Sequence, residues 1–269
     1  MSDAVEVVDL RAARTALRET TPLVHCLTNT VVQTLTANAL LAVGAAPAMV
    51  DAPEEAGDFA AVASAVLVNV GTVNARTAEA MRLAARSAGA AGTPWVLDPV
   101  AVGGLAYRTT LAGELATLGP AVVRGNPSEV MALAGAGSGG RGVDSTAGAD
   151  DAASAAAALA GRTGGVVAVS GEVDLITDGA RTVRVGGGSA LLTRTTGAGC
   201  ALGALVAAYV AATGDPFTGT VAAHAHVALA AEQAARTAAG PGTFAAAWLD
   251  ALDSVGPEDL ARADVRSAR

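Results

Sequence analysis

Short apolar, β-branched runs recur along this chain at residues 23–26, 66–70, 95–98, 121–124 and 166–170, each ending in a polar or glycine-containing turn. Runs of this length without polar alternation predict strands buried on both faces, the pattern of a parallel sheet. Alanine-rich helical stretches lie between them, among them 34–43, 75–88, 128–133 and 150–159. A further helix, with its charges on one side, is predicted near 7–19. Strands alternating with helices give an α/β fold: a mainly parallel central sheet flanked by helices on both faces. Past Ser170 the pattern changes. Residues 173–177 and 182–185 flank Asp178-Gly179, a hairpin signal that adds an antiparallel edge. Residues 136–142 read as a glycine-rich loop and the tail from 256 as frayed. Without a compositional break, residues 1–269 are read as one domain.

Composition narrows the function. Hydrophobic residues make up 52% of the chain but aromatic ones only 3%, so a ligand pocket is expected to be lined by aliphatic groups, Met and Cys. A net charge of −8 with no basic cluster argues against nucleic acid and anionic membranes as partners. The chain has no lysine, so every cationic side chain outside histidine is Arg. That removes P-loop kinases, Schiff-base aldolases and pyridoxal-phosphate enzymes, which need a lysine amine. Two scattered cysteines, Cys26 and Cys200, make neither a zinc site nor a disulfide framework. The acidic, polar start is unlike a secretory signal. Two uncharged windows, 24–50 and 195–214, read as buried helices rather than membrane spans; the first holds His25, Asn29, Gln33 and Asn38, and the second opens with Thr-Thr-Gly and is rich in alanine. A cytoplasmic protein is expected.

The chemistry concentrates where strands end, because open α/β sheets bind ligands beyond the carboxyl ends of their strands. Thr195-Thr196-Gly197-Ala198-Gly199-Cys200 precedes a long apolar helix, and its backbone N–H groups at that helix start form an anion hole over Gly197, Ala198, Gly199 and Cys200. A small-molecule kinase is the leading reading of this segment. Asp98, at the end of its strand and before Pro99, is placed to hold Mg²⁺ against nucleotide phosphates, with a turn cap as the plainer reading. Glu129, in the first turn of a helix, is either a second metal carboxylate or simply a cap. Arg124 is placed to grip phosphate bidentately, and Ser170 to hydrogen-bond a phosphate or ribose.

Cys200 carries opposed influences. A helix N-terminus lowers a thiol pKa, while a neighbouring polyphosphate opposes ionisation. Phosphoryl transfer through a loose transition state asks little of a base, so Cys200 is read as orienting the acceptor hydroxyl and taking its proton late. Its plainer reading is a small buried hydrophobe. Asn29 is placed to receive a polar substrate atom, and Met49 is either core or a thioether against a flat heterocycle. His25 reads as a core residue. His224 and His226, two apart on an alanine-rich helix, face different ways and read as packing or surface residues.

These residues sit within segments that resemble the hydroxyethylthiazole kinase family of the ribokinase-like superfamily. The segments are Val24-His25-Cys26-Leu27-Thr28-Asn29, Ala46-Pro47-Ala48-Met49, Asn69-Val70-Gly71-Thr72, Leu97-Asp98-Pro99-Val100-Ala101-Val102-Gly103, Val123-Arg124-Gly125-Asn126-Pro127-Ser128-Glu129, Gly142-Val143-Asp144-Ser145 and Thr196-Gly197-Ala198-Gly199-Cys200. They follow family order over roughly residues 15–255, and the cysteine separates this family from relatives with Asp at that helix start. The resemblance implies ATP- and Mg²⁺-dependent phosphorylation of the primary hydroxyl of 4-methyl-5-(2-hydroxyethyl)thiazole, giving the thiazole phosphate of thiamine biosynthesis. It implies that Met49 and Gly197 contact the thiazole, Arg124 and Ser170 contact ATP, Asp98 and Glu129 manage the metal, and Cys200 sits at the acceptor hydroxyl. It also implies a homotrimer with active sites between subunits, so that Met49 serves an adjacent chain. The rivals are a ribokinase-like kinase acting on the pyrimidine half of thiamine, and a non-catalytic binder that kept the fold.

Overall fold

The computed structural model describes residues 8–135 and 149–268. The glycine-rich stretch 136–142 and the segment Gly142-Val143-Asp144-Ser145 lie outside the described residues. Along the chain run α1 (Leu10–Thr20), β1 (Leu23–Leu27), α2 (Gln33–Val43), β2 (Ala46–Ala48), α3 (Pro53–Val62), β3 (Ala65–Asn69) and α4 (Ala75–Ala91). Then come β4 (Trp95–Asp98), α5 (Ala106–Ala116), β5 (Val122–Gly125), α6 (Pro127–Ala134), α7 (Ala153–Thr163), β6 (Val166–Val169), β7 (Asp174–Thr177) and β8 (Thr182–Val185). A 3₁₀ turn (Ala190–Arg194) leads to α8 (Ala198–Thr213), α9 (Pro216–Thr237), α10 (Pro241–Ser254), α11 (Pro257–Leu260) and β9 (Val265–Ser267).

The described strands form one sheet in the order β2-β1-β3-β4-β5-β6-β7-β8-β9. It is parallel from β2 through β6 and antiparallel from β6 onward. Successive residues of a strand face opposite ways, and the apolar runs therefore feed two cores. Leu67, Val96 and Val122 pack with α1, α2, α8, α9 and α10 on one face. Val66, Val68, Trp95, Leu97 and Val123 pack with the layer that includes α4, α5 and α7 on the other. Each core encloses one tryptophan: Trp248 of α10 in the α8 layer and Trp95 in the other, both essentially without solvent exposure.

Local sequence explains the helix starts. The Asp9 side chain accepts from the Ala12 N–H to open α1, Asn74 makes a capping box with Thr77 at α4, and Asp215 caps α9 ahead of Pro216. Inside the α8 layer, buried Arg14 donates from Nε to Val255 O (2.9 Å) and from Nη1 to Val43 O (2.7 Å). It thereby supplies donors where α10 and α2 run out of N–H partners, and a cation where their dipoles are negative. His226 donates from Nε2 to Leu252 O (3.0 Å), so its Nδ1 accepts from the Tyr209 hydroxyl at 2.8 Å. Burial holds this ring down at about 3, in its neutral form.

Two expectations change. The tail from 256 is ordered: α11 buries Leu260 completely, and β9 pairs antiparallel with β8 along Val183↔Ser267, Arg184↔Arg266 and Val185↔Val265. A segment whose only large aliphatic side chains are Leu260 and Val265 carries too little pattern to show this, and its order comes from the edge it completes. The other change is β2, read in sequence only as part of a substrate segment. Pro47 is tolerated there because β2 is the sheet's outer strand, where no further ladder needs its missing N–H.

Candidate active site

Strand phase assembles the site. Asn69, Asp98 and Arg124 end or nearly end β3, β4 and β5, and Asn69 pairs with Asp98 in register. Each lies two residues beyond a side chain of the α8-side core, Leu67, Val96 and Val122, so all three point toward the α8 layer. Ser170 follows β6 in the same phase, two residues beyond Ala168. The N-terminus of α8 crosses above this row, and Asn29 joins from the exit of β1.

Hydrogen bonds and one ion contact link the side chains in a row. Asn29 Nδ2 donates to Cys200 Sγ (3.3 Å) and to Asn69 Oδ1 (3.3 Å). Asn69 Nδ2 donates to Asp98 Oδ2 (2.8 Å), and Asn69 Oδ1 also accepts the Gly71 N–H (3.0 Å). Asp98 Oδ2 lies 3.9 Å from Arg124 Nη1, and Arg124 Nη2 donates to Ser170 Oγ at 2.7 Å. Cys200 and Asn29 thus occupy one end, with Arg124 and Ser170 at the other.

Gly197 opens α8 at φ +92°, where an added Cβ would stand 2.6 Å from Val32 Cγ1. Only glycine turns the chain there without strain or overlap. Among the described residues no side-chain hydrogen bond caps this helix start. The Ala198 N–H is engaged by Thr195 O (3.2 Å), which takes it out of the expected anion hole and leaves the turn's other N–H groups to an anion. Gly199 has a different reason: a Cβ there would lie 3.1 Å from Arg124 Nη1. Its absence lets the guanidinium approach the helix start.

Burial dominates the electrostatics. Asp98, 1% exposed, is pushed up to about 7 by desolvation, reinforced by the nearby charge of Glu129 and opposed by Arg124 and the Asn69 hydrogen bond. Cys200 is pushed up to about 11, again by burial first and then by the charge of Asp98. The helix-terminus effect therefore loses to desolvation. Held in its thiol form, Cys200 presents an S–H donor and sulfur lone pairs with which an acceptor hydroxyl could be oriented.

Glu129 realises its plainer reading. Its Oε2 accepts the Asn126 N–H (2.8 Å), its own N–H donates to Asn126 Oδ1 (2.9 Å), and Oε1 accepts the Ala101 N–H (2.9 Å). It ties the start of α6 to the loop that leaves Asp98. Among the described residues no three His, Cys, Asp or Glu side chains gather as a metal cage. Mg²⁺ does not need one: it keeps several waters and binds through one or two carboxylates plus substrate phosphates. Asp98 Oδ1 is buried without a hydrogen-bond partner among the described residues, and Glu129 keeps lone pairs beyond those it uses. The donor set fits that ion.

Met49 stands apart from this chain of contacts, just past β2 and half-buried against the α8-side core. His25 is buried with Nε2 2.7 Å from Val50 O, and both His224 and His226 are interior rather than surface residues. Asn69 is the residue whose role sequence reasoning missed. Its place at a strand's carboxyl end was visible, but its link between Asp98 and Asn29 follows from the β3–β4 register.

An α/β sheet with a carboxylate, an arginine and a glycine-opened helix terminus at its carboxyl-end rim has the parts of a small-molecule phosphotransferase, and its fold is shared with solved small-molecule kinases. An 18% identical chain, a Bacillus subtilis pyridoxal kinase in its ADP complex, shares that fold at a TM-score of 0.61, covering 78% of this chain and 91% of its own. This chain belongs to the hydroxyethylthiazole kinase family, whose profile matches residues 15–258. A hydroxyethylthiazole kinase of Kineococcus radiotolerans is 64% identical over 259 residues, covering 96% of this chain and 94% of its own. The solved hydroxyethylthiazole kinase protein of Pyrococcus horikoshii OT3 is 37% identical, with a TM-score of 0.90 over 97% of this chain and 99% of that one. Among the described residues no helix is long and apolar enough to cross a membrane.

Proposed function

We propose that this chain, acting as one kinase domain over residues 1–269 in the cytoplasm, transfers the terminal phosphoryl group of ATP to the primary hydroxyl of 4-methyl-5-(2-hydroxyethyl)thiazole. The observation that carries this reading is the row of side chains from Cys200 to Ser170, joined by hydrogen bonds and by the Asp98–Arg124 ion contact, beneath the glycine-opened start of α8. An acceptor alcohol sits at the Cys200–Asn29 end and the nucleotide at the Arg124–Ser170 end. Asn29 holds Sγ in place, and the neutral thiol fixes the direction of the hydroxyl. Little proton transfer is required at a loose transition state, so direction matters more than basicity there, and the hydroxyl proton leaves late, to an oxygen of the transferred phosphoryl group, as the new O–P bond forms and the bond to ADP breaks. The N–H groups at Gly197, Gly199 and Cys200 face the charge on the transferring group. Arg124 supplies the fixed cation that lysine supplies elsewhere. Asp98 and Glu129 would hold Mg²⁺, whose contribution when bound is to neutralise phosphate charge and align the donor.

We further propose a homotrimer with sites between subunits, in which Gly197 meets the thiazole from one chain and Met49 from its neighbour. The position of Met49 just past the outer strand β2, half-buried at the sheet's edge, supports that division. A coupled assay of ADP release across candidate alcohols, the pyrimidine alcohol included, tests the main reading. Turnover is expected to require the thiazole; turnover with the pyrimidine alone, or thiazole binding without transfer, overturns it.

A further inference from the structure

His224 lies on α9 with its side chain fully buried, in a helix otherwise dominated there by alanine. A ring sealed from water needs a polar partner, and it has one in Asp174, with Nδ1 2.6 Å from Oδ2. A carboxylate oxygen only accepts, so Nδ1 carries the proton and donates it. Nε2 is buried with no partner among the described residues, leaving Asp174 as the ring's one polar anchor there.

Asp174 is the first residue of β7, and its second oxygen has another task. Oδ1 accepts the Gly171 N–H at 2.8 Å. Val169 and Leu175 are the last residues paired between β6 and β7, so residues 170–174 make the turn and Asp174 closes it across its mouth. The opposite side of the turn is tied to β5, because the Ser170 N–H donates to Gly125 O (2.9 Å). Between these two anchors stands the Ser170 hydroxyl, 2.7 Å from Arg124 Nη2. One carboxylate therefore joins a helix on one face of the sheet to the turn that presents Ser170.

An acid–imidazole pair with its ring fully buried and its carboxylate mostly so is a poor choice if filling space is all that is needed. Its desolvation opposes its attraction, and an apolar group of equal volume packs as well. Its distinctive property is direction, since both oxygens of Asp174 have fixed partners on separate elements. We propose that Asp174 and His224 are positioning residues for the nucleotide: His224 fixes the Asp174 carboxylate, Asp174 fixes the Gly171 amide, and the turn so held sets the Ser170 hydroxyl against Arg124. The proposal rests on Ser170 and Arg124 contacting ATP.

Steady-state kinetics on four variants of the full chain test it, with ATP and the thiazole varied separately and thermal unfolding recorded for each. Asp174→Ala is expected to raise KM for ATP about tenfold, the worth of one charge-assisted hydrogen bond, with KM for the thiazole changed less than about twofold. Asp174→Asn should restore most of the loss, since its amide oxygen still accepts from Gly171 and its amide N–H serves the ring in the other tautomer. His224→Phe keeps the ring volume but leaves the carboxylate unheld, and should raise KM for ATP about threefold in a folded protein. Ser170→Ala reports on the underlying reading. If it raises KM for ATP while Asp174→Ala and His224→Phe do not, the positioning proposal alone is overturned. If Ser170→Ala leaves KM for ATP unchanged, the nucleotide role of Ser170 fails and takes the proposal with it. Lowered melting temperatures with both Michaelis constants unmoved, equal rises in both, or an asparagine variant as impaired as the alanine one, assign the pair to packing and overturn it as well.

Discussion

Cys200 and Asp98 are each held in the uncharged form well beyond its usual range, and each makes a measurable commitment. With a thiol near 11, only about one Cys200 in a thousand is thiolate at pH 8. Iodoacetamide should therefore modify it orders of magnitude more slowly than a free cysteine; rapid labelling would contradict a neutral orienting thiol. Cys200→Ala should lower kcat about tenfold, whereas Cys200→Asp should stay active because a carboxylate at that helix start both orients and accepts a proton. For Asp98 the sign follows from linkage. Below 3.8 the group is protonated whether the chain is folded or not, and between 3.8 and about 7 only the unfolded chain ionises. Each rise in pH through that window favours unfolding, and above it the penalty is constant. Metal-free wild type should lose melting temperature relative to Asp98→Asn as pH rises from about 4 to about 7, and a constant gap would refute the raised value. His226 titrates in the opposite sense in both proteins and cancels from the difference. At this scale the sequence marked Asp98, Arg124, Ser170 and Cys200 through their places at strand ends and a helix start. It could not mark Asn69 as a connector or Asp174 as a clamp, because both depend on which strand lies beside which.

Among the elements, α8 carries the most function. Gly197→Val introduces a side chain at φ +92° into space held by Val32 and Leu35, and is expected to cost more than about 2 kcal/mol in stability and about a hundredfold in kcat. Near-normal turnover from that variant would end the case for an anion-holding turn. Gly199→Ala is milder, since the atom it meets is the end of a flexible side chain. It should fold, and raise KM for ATP about threefold by displacing Arg124; an effect on the thiazole alone would place Arg124 elsewhere. The apolar runs that became β1, β3, β4, β5 and β6 were legible because both their faces are buried. Strands β2 and β9 were not, since short outer strands take their conformation from the neighbour they pair with rather than from their own pattern.

For the whole molecule the sharpest commitment is assembly. Leu41 on α2 and Val31 just before it are 59% and 67% exposed, and α2 packs on the outer strand β2 that leads to Met49. Apolar groups so placed suit a subunit contact. Sedimentation should find three chains of 26.0 kDa together, and Leu41→Glu should release single chains whose specific activity falls on dilution. A fully active single chain would remove the shared site. The two faces of the sheet have a different kind of consequence. Trp95 is enclosed in one layer and Trp248 in the other, and the chain has no further tryptophan. Replacing either by phenylalanine leaves a fluorophore that reports a single layer, shielded from iodide while that layer is intact. Followed through denaturant or heat, the two emission curves show whether the helices around α8 let go of the sheet together with those on its far side, or ahead of them.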